Sequence, residues 1–212
     1  MLELAAKSLL AYLLGSLLGS LVIGWLRGGV DIRALGSGNA GGTNALRTQG
    51  AVFALGVIVI DVGKGWLATR LPLVSLPGLP MDPGLDRAWL TAACAFSVVL
   101  GHIYPVWFDF RGGKGGATLV GATLGLEPKL ILPVIAVWLI IVMCTGFVGL
   151  ATVCAALALA VAAAWLLEPP SLALTALFFA TALLIAYAHR DNLRRMLAGT
   201  ENRARRLWLF GR

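Results

Sequence analysis

Charged side chains are scarce in this chain. Asp, Glu, Lys and Arg make up 13% of its 212 residues, whereas about a quarter of the residues in a typical soluble domain are charged. Apolar residues make up 59%, and the mean hydropathy is +0.88. The shortage of charge excludes an ordinary soluble domain and predicts a protein embedded in a lipid bilayer.

Residues that bind metals are also few, with three Cys and two His. The cysteines lie in or beside apolar runs and lack the spacing of metal ligands. We therefore expect no metal and no cofactor, and nothing indicates a nucleic-acid partner. The N-terminal apolar run has neither a preceding basic stretch nor a following cleavage site, so we expect it to span the membrane and not to be a removable signal peptide.

Seven apolar runs follow one another along the chain, and a helix needs about 20 apolar residues to cross a bilayer. The runs cover residues 8–26, 51–69, 88–108, 116–126, 130–144, 147–167 and 172–187. The fourth is short, so six spans are the alternative count. The proline-rich residues 71–87 are interpreted as an external loop. The pattern predicts an all-α integral membrane protein that forms one polytopic domain over residues 1–212.

Basic residues are concentrated in three connections. Of the 17 Lys and Arg, three follow the first run, two follow the third and seven lie in the C-terminal tail. These are Arg27, Arg33 and Arg47, then Arg111 and Lys114, then Arg190, Arg194, Arg195, Arg203, Arg205, Arg206 and Arg212. Because Lys and Arg are retained on the cytoplasmic side, seven spans place all three connections in the cytoplasm and the N-terminus outside.

Most residues able to bind phosphate or move a proton lie in three polar segments, 36–50, 101–118 and 188–202. The first contains GSGNAGGTNALR, whose G-x-G-x-x-G spacing does not indicate a dinucleotide site because no strand precedes it. Its glycines allow main-chain amides to face an anion, and Arg47 is suited to hold a phosphate or carboxylate. The predicted anion-binding residues are Ser37, Gly38, Asn39, Gly41, Thr43, Asn44 and Arg47. Helix capping is the alternative explanation.

The second polar segment contains RGGKGG. It is not a Walker A loop, because Gly115 stands where a Ser or Thr would hold magnesium. Lys114 and the flanking Gly112, Gly113, Gly115 and Gly116 instead predict a nest of amides around an anion. His102 lies upstream and is interpreted as a structural hydrogen-bonding residue.

The third polar segment places His189 and Asn192 three residues apart, on one face of a helix. A histidine there can accept a proton or hold a phosphate oxygen, and the alternative is a polar residue that anchors a helix end. Asp61 and Lys64 are the only opposite charges inside a predicted span. We interpret them as an ion pair that supports the site.

Taken in order, GSGNAGGTNALR, GHIYPVWFDFRGGKGGAT and AHRDNLRRMLAGTEN resemble the motifs of the bacterial acyl-phosphate-dependent glycerol-3-phosphate acyltransferases, the PlsY family. The resemblance implies a seven-helix enzyme of the bacterial inner membrane. Such an enzyme transfers a fatty acyl group from acyl phosphate to the 1-hydroxyl of sn-glycerol 3-phosphate, giving lysophosphatidic acid and phosphate. Its partners are these substrates, membrane lipid and, functionally, an enzyme that produces acyl phosphate.

The resemblance also assigns roles by motif. Ser37, Arg47, Lys114, His189 and Asn192 match functional positions, the glycines beside Lys114 match a phosphate cradle, and Glu201 matches a structural position. The sequence departs from the family at Gly149, where a serine is usual, and this alters the expected substrate contacts there.

The chemistry suits these residue types. An acyl phosphate is an activated anhydride, so positioning, charge stabilisation and proton removal suffice without a covalent acyl-enzyme. Either His189 or the substrate phosphate takes the proton. The H-x-x-x-x-D pair of thioester-dependent acyltransferases is absent, since Asp109 and Asp191 stand at other spacings from His102 and His189. A transporter of a phosphorylated metabolite is the competing class, disfavoured because no inverted repeat is visible.

Overall fold

The computed structural model describes residues 1–205 and 207–211 and is built from α-helices. Within these residues no β-strand forms, apart from an isolated bridge between Leu76 and Leu79, which confirms the predicted all-α class. Arg206 and Arg212 of the basic tail lie outside the described residues. The helices are α1 Leu2–Gly15, α2 Gly19–Leu26, α3 Gly42–Gln49, α4 Ala51–Ala68, α5 Arg87–Ile103, α6 Gly116–Leu126, α7 Ile131–Thr145, α8 Val148–Leu166, α9 Leu172–Ala188 and α10 Arg190–Leu197.

The chain divides into two compact units. The N-terminal unit, residues 1–126, packs α1 against α5 and α4 against α6, and α2 and α3 both lie on α4. The C-terminal unit, residues 127–212, packs α7 and α9 against α8, with α10 touching α8 and α9. The prediction of one domain with three site loops stays a prediction.

Every predicted apolar run falls on a helix or a pair of helices. Among the described residues, four helices are long and apolar enough to cross a membrane, and six spans result if α1 with α2 and α9 with α10 each count as one bent span. The shorter α6 has the bounds that the sequence predicted for the fourth run, Gly116–Leu126. Seven spans and an external N-terminus remain predictions.

The first and third polar segments each contain a short helix. The first turns at Gly36 and Gly38, which have positive φ angles of 57° and 72°, and then forms α3. Residues 43–49 contain no Gly or Pro to break a helix, and Gly50, with φ 86°, separates α3 from α4. The third segment forms α10, bent 53° from α9 at His189. Local turns therefore alternate with short helices in these segments.

A buried ion cluster fixes the break in the first span. The axes of α1 and α2 differ by 46°, and Lys64 of α4 donates hydrogen bonds of 2.8 Å to the carbonyls of Gly15 and Leu17 at the break. Its Nζ also lies 3.0 Å from Asp61 Oδ1, which accepts a bond from the amide of Gly19 at 3.2 Å. Asp61 and Lys64 are 1% and 3% exposed, so the pair satisfies main-chain groups that the break leaves without helical partners.

A second buried carboxylate ties the 71–87 loop to the start of α1. Glu3, 2% exposed, accepts bonds from Lys7 at 2.8 Å, from Arg87 at 2.6 Å and from the amide of Asp82 at 2.7 Å. The loop forms a short 3-10 turn at Leu71–Leu73. The hydrogen bonds to the Glu3 carboxylate, and not an apolar core of its own, anchor it to α1.

The ion cluster yields a stability prediction. Lys64→Met leaves the buried Asp61 carboxylate without its counter-charge, and we expect it to lower the free energy of unfolding by about 3–5 kcal/mol. Asp61→Asn added to it removes the uncompensated charge and restores part of the loss. Thermal unfolding in detergent measures both effects. Lys129→Met is the control, because Lys129 is 52% exposed and 3.6 Å from Glu127; equal losses in the Lys64 and Lys129 variants would contradict the prediction.

Candidate active site

Asn44 organises the first polar segment from within. Its Oδ1 accepts a bond from the amide of Ser37 at 3.0 Å, and its Nδ2 donates bonds of 3.0 Å to the carbonyls of Ile32 and Leu35. The side chain is 1% exposed. Both amide protons are used by main-chain carbonyls just before the segment, and a substrate-binding role for Asn44 stays a prediction. Asn44 shapes the turn that carries Ser37.

The other polar side chains of this segment are more accessible. Ser37, Thr43 and Arg47 are exposed, and Asn39 is half-buried. Gly41 caps α3, so the first amides of α3 follow directly and have no partner within the helix. A helix N-terminus attracts anions through these amides and through its dipole. Gly38 and Gly41 therefore border a surface suited to phosphate, with Arg47 one turn further along α3.

Arg33 joins the first polar segment to the second. Its guanidinium grips Asp31 with contacts of 2.8–3.1 Å and donates 3.3 Å bonds to the carbonyls of Phe108 and Arg111. The same guanidinium holds the pKa of Asp31 below its usual range. From the sequence, Arg33 was counted only as a basic residue of the first connection. The Asp-x-Arg spacing in that connection was the signal that could have predicted its pairing with Asp31. The clamp brings two of the predicted anion-binding segments together.

Two glycines of the second polar segment are hydrogen-bonded to the end of α5. The amide of Gly112 donates to the carbonyl of Ile103 at 3.2 Å, and the amide of Gly113 donates to the carbonyl of His102 at 3.0 Å. Each of these two amides is thus already satisfied by the end of α5, and their role in an anion cradle stays a prediction. The residues that lead into α6 are the remaining predicted donors.

Lys114 and the glycines after it lead into the N-terminus of α6. Gly115 has a φ of 81°, a conformation that glycine adopts at little cost, and α6 begins at Gly116. The first amides of α6 have no partner within the helix, and Lys114 stands two residues before them, half-buried. The segment thus offers a cation next to a helix N-terminus.

His189 lies at the junction of α9 and α10, and its ring is 5% exposed. Nδ1 is 2.8 Å from the carbonyl oxygen of Ile185. A carbonyl oxygen only accepts, so Nδ1 carries a hydrogen. In the neutral ring the lone pair is then on Nε2, which is the nitrogen able to take up a proton.

Glu201 holds the third segment together. Its Oε1 accepts a bond from Asn192 Nδ2 at 2.6 Å, and its Oε2 accepts one from Arg195 Nε at 2.7 Å. The carboxylate thereby fixes the side-chain amide of Asn192, which lies one turn from His189. It also holds the residues after Gly199 against α10.

Gly149 allows α8 to approach this junction closely. A Cβ at Gly149 would stand 3.0 Å from Asn192 Cβ and 3.4 Å from His189 Cδ2. The first distance is tighter than ordinary carbon contacts, so a serine here requires α10 to shift. Glycine at position 149, where the resemblance implies a serine, therefore allows α8 to pack closely behind His189 and Asn192.

The residues after Glu201 secure the α7–α8 turn. The guanidinium of Arg203 stacks on the rings of Phe147 and Trp208, 4.7 Å and 4.1 Å from their centroids. The amide of Ala204 donates to the carbonyl of Gly146 at 2.8 Å. From the sequence, Arg203 was counted only among the basic residues of a cytoplasmic tail, and its packing on the turn that precedes Gly149 was missed.

Metal-ligating side chains are not grouped in the described part of the chain. Within residues 1–205 and 207–211, no three His, Cys, Asp or Glu side chains come together as ligands for a metal ion.

Loss of the Glu201 bridge should loosen the C-terminal segment. Glu201→Gln presents an amide to one of two donors, and we expect tryptic cleavage after Arg203 and Arg205 to become about tenfold faster, since one lost bond costs about 1 kcal/mol or more. Mass spectrometry of timed digests measures the rate. Asp191→Asn is the matched control, because Asp191 pairs with Arg194 at 3.4 Å on the exposed side of α10. Equal cleavage of Glu201→Gln and wild type would refute the bridge.

Known proteins match nearly the whole chain. The family model described as glycerol-3-phosphate acyltransferase matches residues 5–199. Curated proteins of that name include one from Symbiobacterium thermophilum, 41% identical over 203 residues with 96% of each chain covered, and one from Chlorobaculum parvum, 34% identical with 96% of this chain and 97% of the relative covered.

Solved structures agree with the sequence match. The crystal structure of PlsY, an integral membrane glycerol 3-phosphate acyltransferase, in its glycerol 3-phosphate form gives a TM-score of 0.79 at 33% identity. The lysophosphatidic acid form gives 0.78 at 32%, and both comparisons cover 94% of each chain. The predicted all-α integral membrane class is confirmed, and the chain belongs to the glycerol-3-phosphate acyltransferase family.

Proposed function

We propose that this protein transfers a fatty acyl group from acyl phosphate to the 1-hydroxyl of sn-glycerol 3-phosphate, in the bacterial inner membrane. The observation that carries the proposal is the match, over 94% of the chain, to PlsY in forms described with glycerol 3-phosphate and with lysophosphatidic acid. These molecules are the acceptor and the product of such a transfer.

The donor is proposed from the chemistry of the polar segments. Acyl phosphate and glycerol 3-phosphate both carry phosphate, and the N-terminal unit has Lys114 beside the N-terminus of α6 and Arg47 exposed in the last turn of α3. The chain has neither a nucleotide fingerprint in a βαβ context nor the H-x-x-x-x-D pair of thioester-dependent enzymes. These features favour acyl phosphate over acyl-CoA and an enzyme that produces acyl phosphate as the functional partner.

The proposed reaction is a direct transfer. The 1-hydroxyl oxygen attacks the acyl carbonyl carbon, the bond from that carbon to the phosphate oxygen breaks, and inorganic phosphate leaves. Ser37 and the main-chain amides beside it stabilise the negative charge that develops on the carbonyl oxygen. Arg47 and Lys114 hold the phosphate groups. The leaving group is good enough that no covalent acyl-enzyme is needed.

The proton of the hydroxyl passes to His189 in this proposal. The bond from Nδ1 to Ile185 leaves Nε2 as the basic nitrogen, and Glu201 orients the neighbouring Asn192. The alternative acceptor is a phosphate oxygen of the substrate, with His189 as a binding residue. All three polar segments are proposed to serve the one transfer.

The donor assignment predicts which substrate supports product formation. Purified protein in detergent or lipid is given labelled glycerol 3-phosphate with palmitoyl phosphate or with palmitoyl-CoA. We expect lysophosphatidate only with palmitoyl phosphate. Product from the thioester alone would reverse the donor assignment, and no product from either donor, in protein shown to be folded, would favour a transporter of a phosphorylated metabolite.

The base assignment predicts a pH dependence. A base must be unprotonated, so kcat should rise with pH as His189 loses its proton. His189→Gln removes that rise and lowers kcat by about 10²–10⁴-fold. The pH profile of kcat under saturating substrates measures both effects. A Gln variant that keeps most of its activity would assign the proton to the substrate phosphate and make His189 a binding residue.

A further inference from the structure

His102 is a buried titratable residue that the proposed reaction does not use. It lies in the last turn of α5 and is 2% exposed. One side of its ring faces the ion cluster of α4, and the other faces the second polar segment. The proton transfer proposed above does not involve it, and a buried polar ring of this kind calls for another role.

The ion cluster fixes the ring from one side. Lys64 Nζ lies 2.9 Å from His102 Nδ1, and Asp61 Oδ1 lies 3.4 Å from the same nitrogen. The ion pair holds Nδ1 in either tautomer, because an unprotonated Nδ1 accepts from Lys64 and a protonated Nδ1 donates to Asp61 Oδ1. Rotation of the ring would leave Nδ1 without this partner in a buried environment, where an unmet hydrogen bond is expensive.

The other side of the ring abuts Gly113. A Cβ added to Gly113 would overlap His102 Nε2 and lie 2.9 Å from Cε1. The main chains are joined as well, because the amide of Gly113 donates to the carbonyl of His102 at 3.0 Å. Lys114 is the next residue along the chain, so the position of the imidazole limits where the main chain of Lys114 lies.

We propose that His102 is a positioning residue for the anion-binding segment around Lys114. Lys64 and Asp61 hold the imidazole, and the imidazole sets the path of Gly113, so that Lys114 and the N-terminus of α6 face the phosphate together. The proposal rests on the proposed function in that the segment binds a substrate phosphate. Support of this kind matters because a displacement of about 1 Å at a binding group can cost a hundredfold in rate.

A double-mutant cycle tests the contact between ring and loop. Gly113→Ala places a methyl group on Nε2, and the φ of Gly113 is not in the left-handed region, so the collision is the main effect. His102→Asn retains an acceptor near the Nδ1 position for Lys64 but lacks Nε2 and Cε1. We expect Gly113→Ala to raise the KM for glycerol 3-phosphate or acyl phosphate about tenfold or more, and His102→Asn added to it to recover most of that loss.

The control glycine is Gly63 of α4, where an added Cβ meets nothing within 4 Å. Gly63→Ala alone should leave both KM values unchanged, and Gly63→Ala added to His102→Asn should leave them as they are in His102→Asn alone. If the changes in KM caused by Gly113→Ala and by His102→Asn simply add in the double variant, the proposal is overturned, because the collision then plays no part.

Single variants at position 102 separate positioning from stability alone. His102→Gln reaches toward Gly113 but lacks an acceptor at the Nδ1 position, whereas His102→Asn keeps that acceptor and loses the loop contact. We expect Asn to raise KM about tenfold with a smaller change in kcat, and Gln to lower the unfolding temperature more than Asn does. Unchanged KM in both variants, with only the unfolding temperature lowered, would make His102 a residue of the core and overturn the proposal.

Binding measurements distinguish a failure of the positioning role of His102 from a failure of the proposed function. Calorimetric titration of inorganic phosphate and of glycerol 3-phosphate reports on the segment without any reaction. Wild-type protein that binds phosphate but forms no lysophosphatidate would defeat the proposed function alone. Equal phosphate affinities for wild type, Gly113→Ala and the double variant would defeat the positioning role even in an active enzyme.

Discussion

The N-terminal unit is organised around the solvation of one buried ammonium group. Lys64 is nearly inaccessible, and a charge removed from water must recover its interactions from the protein. It does so from Asp61, from His102 and from two carbonyls that a continuous first helix would have used internally. The helix break, the position of α5 and the charge on α4 are therefore parts of one arrangement.

Both units build their polar segments in the same way, with one side chain that satisfies several main-chain or side-chain groups. In the N-terminal unit Asn44 closes the turn around Ser37, and Arg33 joins the two segments. In the C-terminal unit Glu201 unites Asn192 with Arg195. Flexible glycine-rich chain acquires a defined shape because its hydrogen-bonding groups are assigned to buried partners. This leaves accessible groups such as Arg47 for a ligand.

The sequence predicted the apolar helices well and the hydrogen-bond partners poorly. Periodic and continuous hydrophobicity is a local signal, so α6 was predicted with its observed bounds, and Asp61 with Lys64 stood out because charge inside a span is rare. Asn44, Gly112 and Gly113 were assigned to a ligand because their residue types suit anions. Their actual partners are carbonyls of Ile32, Leu35, His102 and Ile103. Which acceptor lies nearby depends on tertiary packing, and no local pattern encodes it.

The stacking of Arg203 between Phe147 and Trp208 lies beyond residue 199, where the family match ends. Arg203 thereby braces the turn that leads into α8. Expression designs that trim the chain at the family boundary would remove the brace, and a purification tag joined directly after it would compete with it for the same turn. A tag at the other end of the chain, or one separated from Phe210 by a long flexible spacer, preserves the native C-terminal packing.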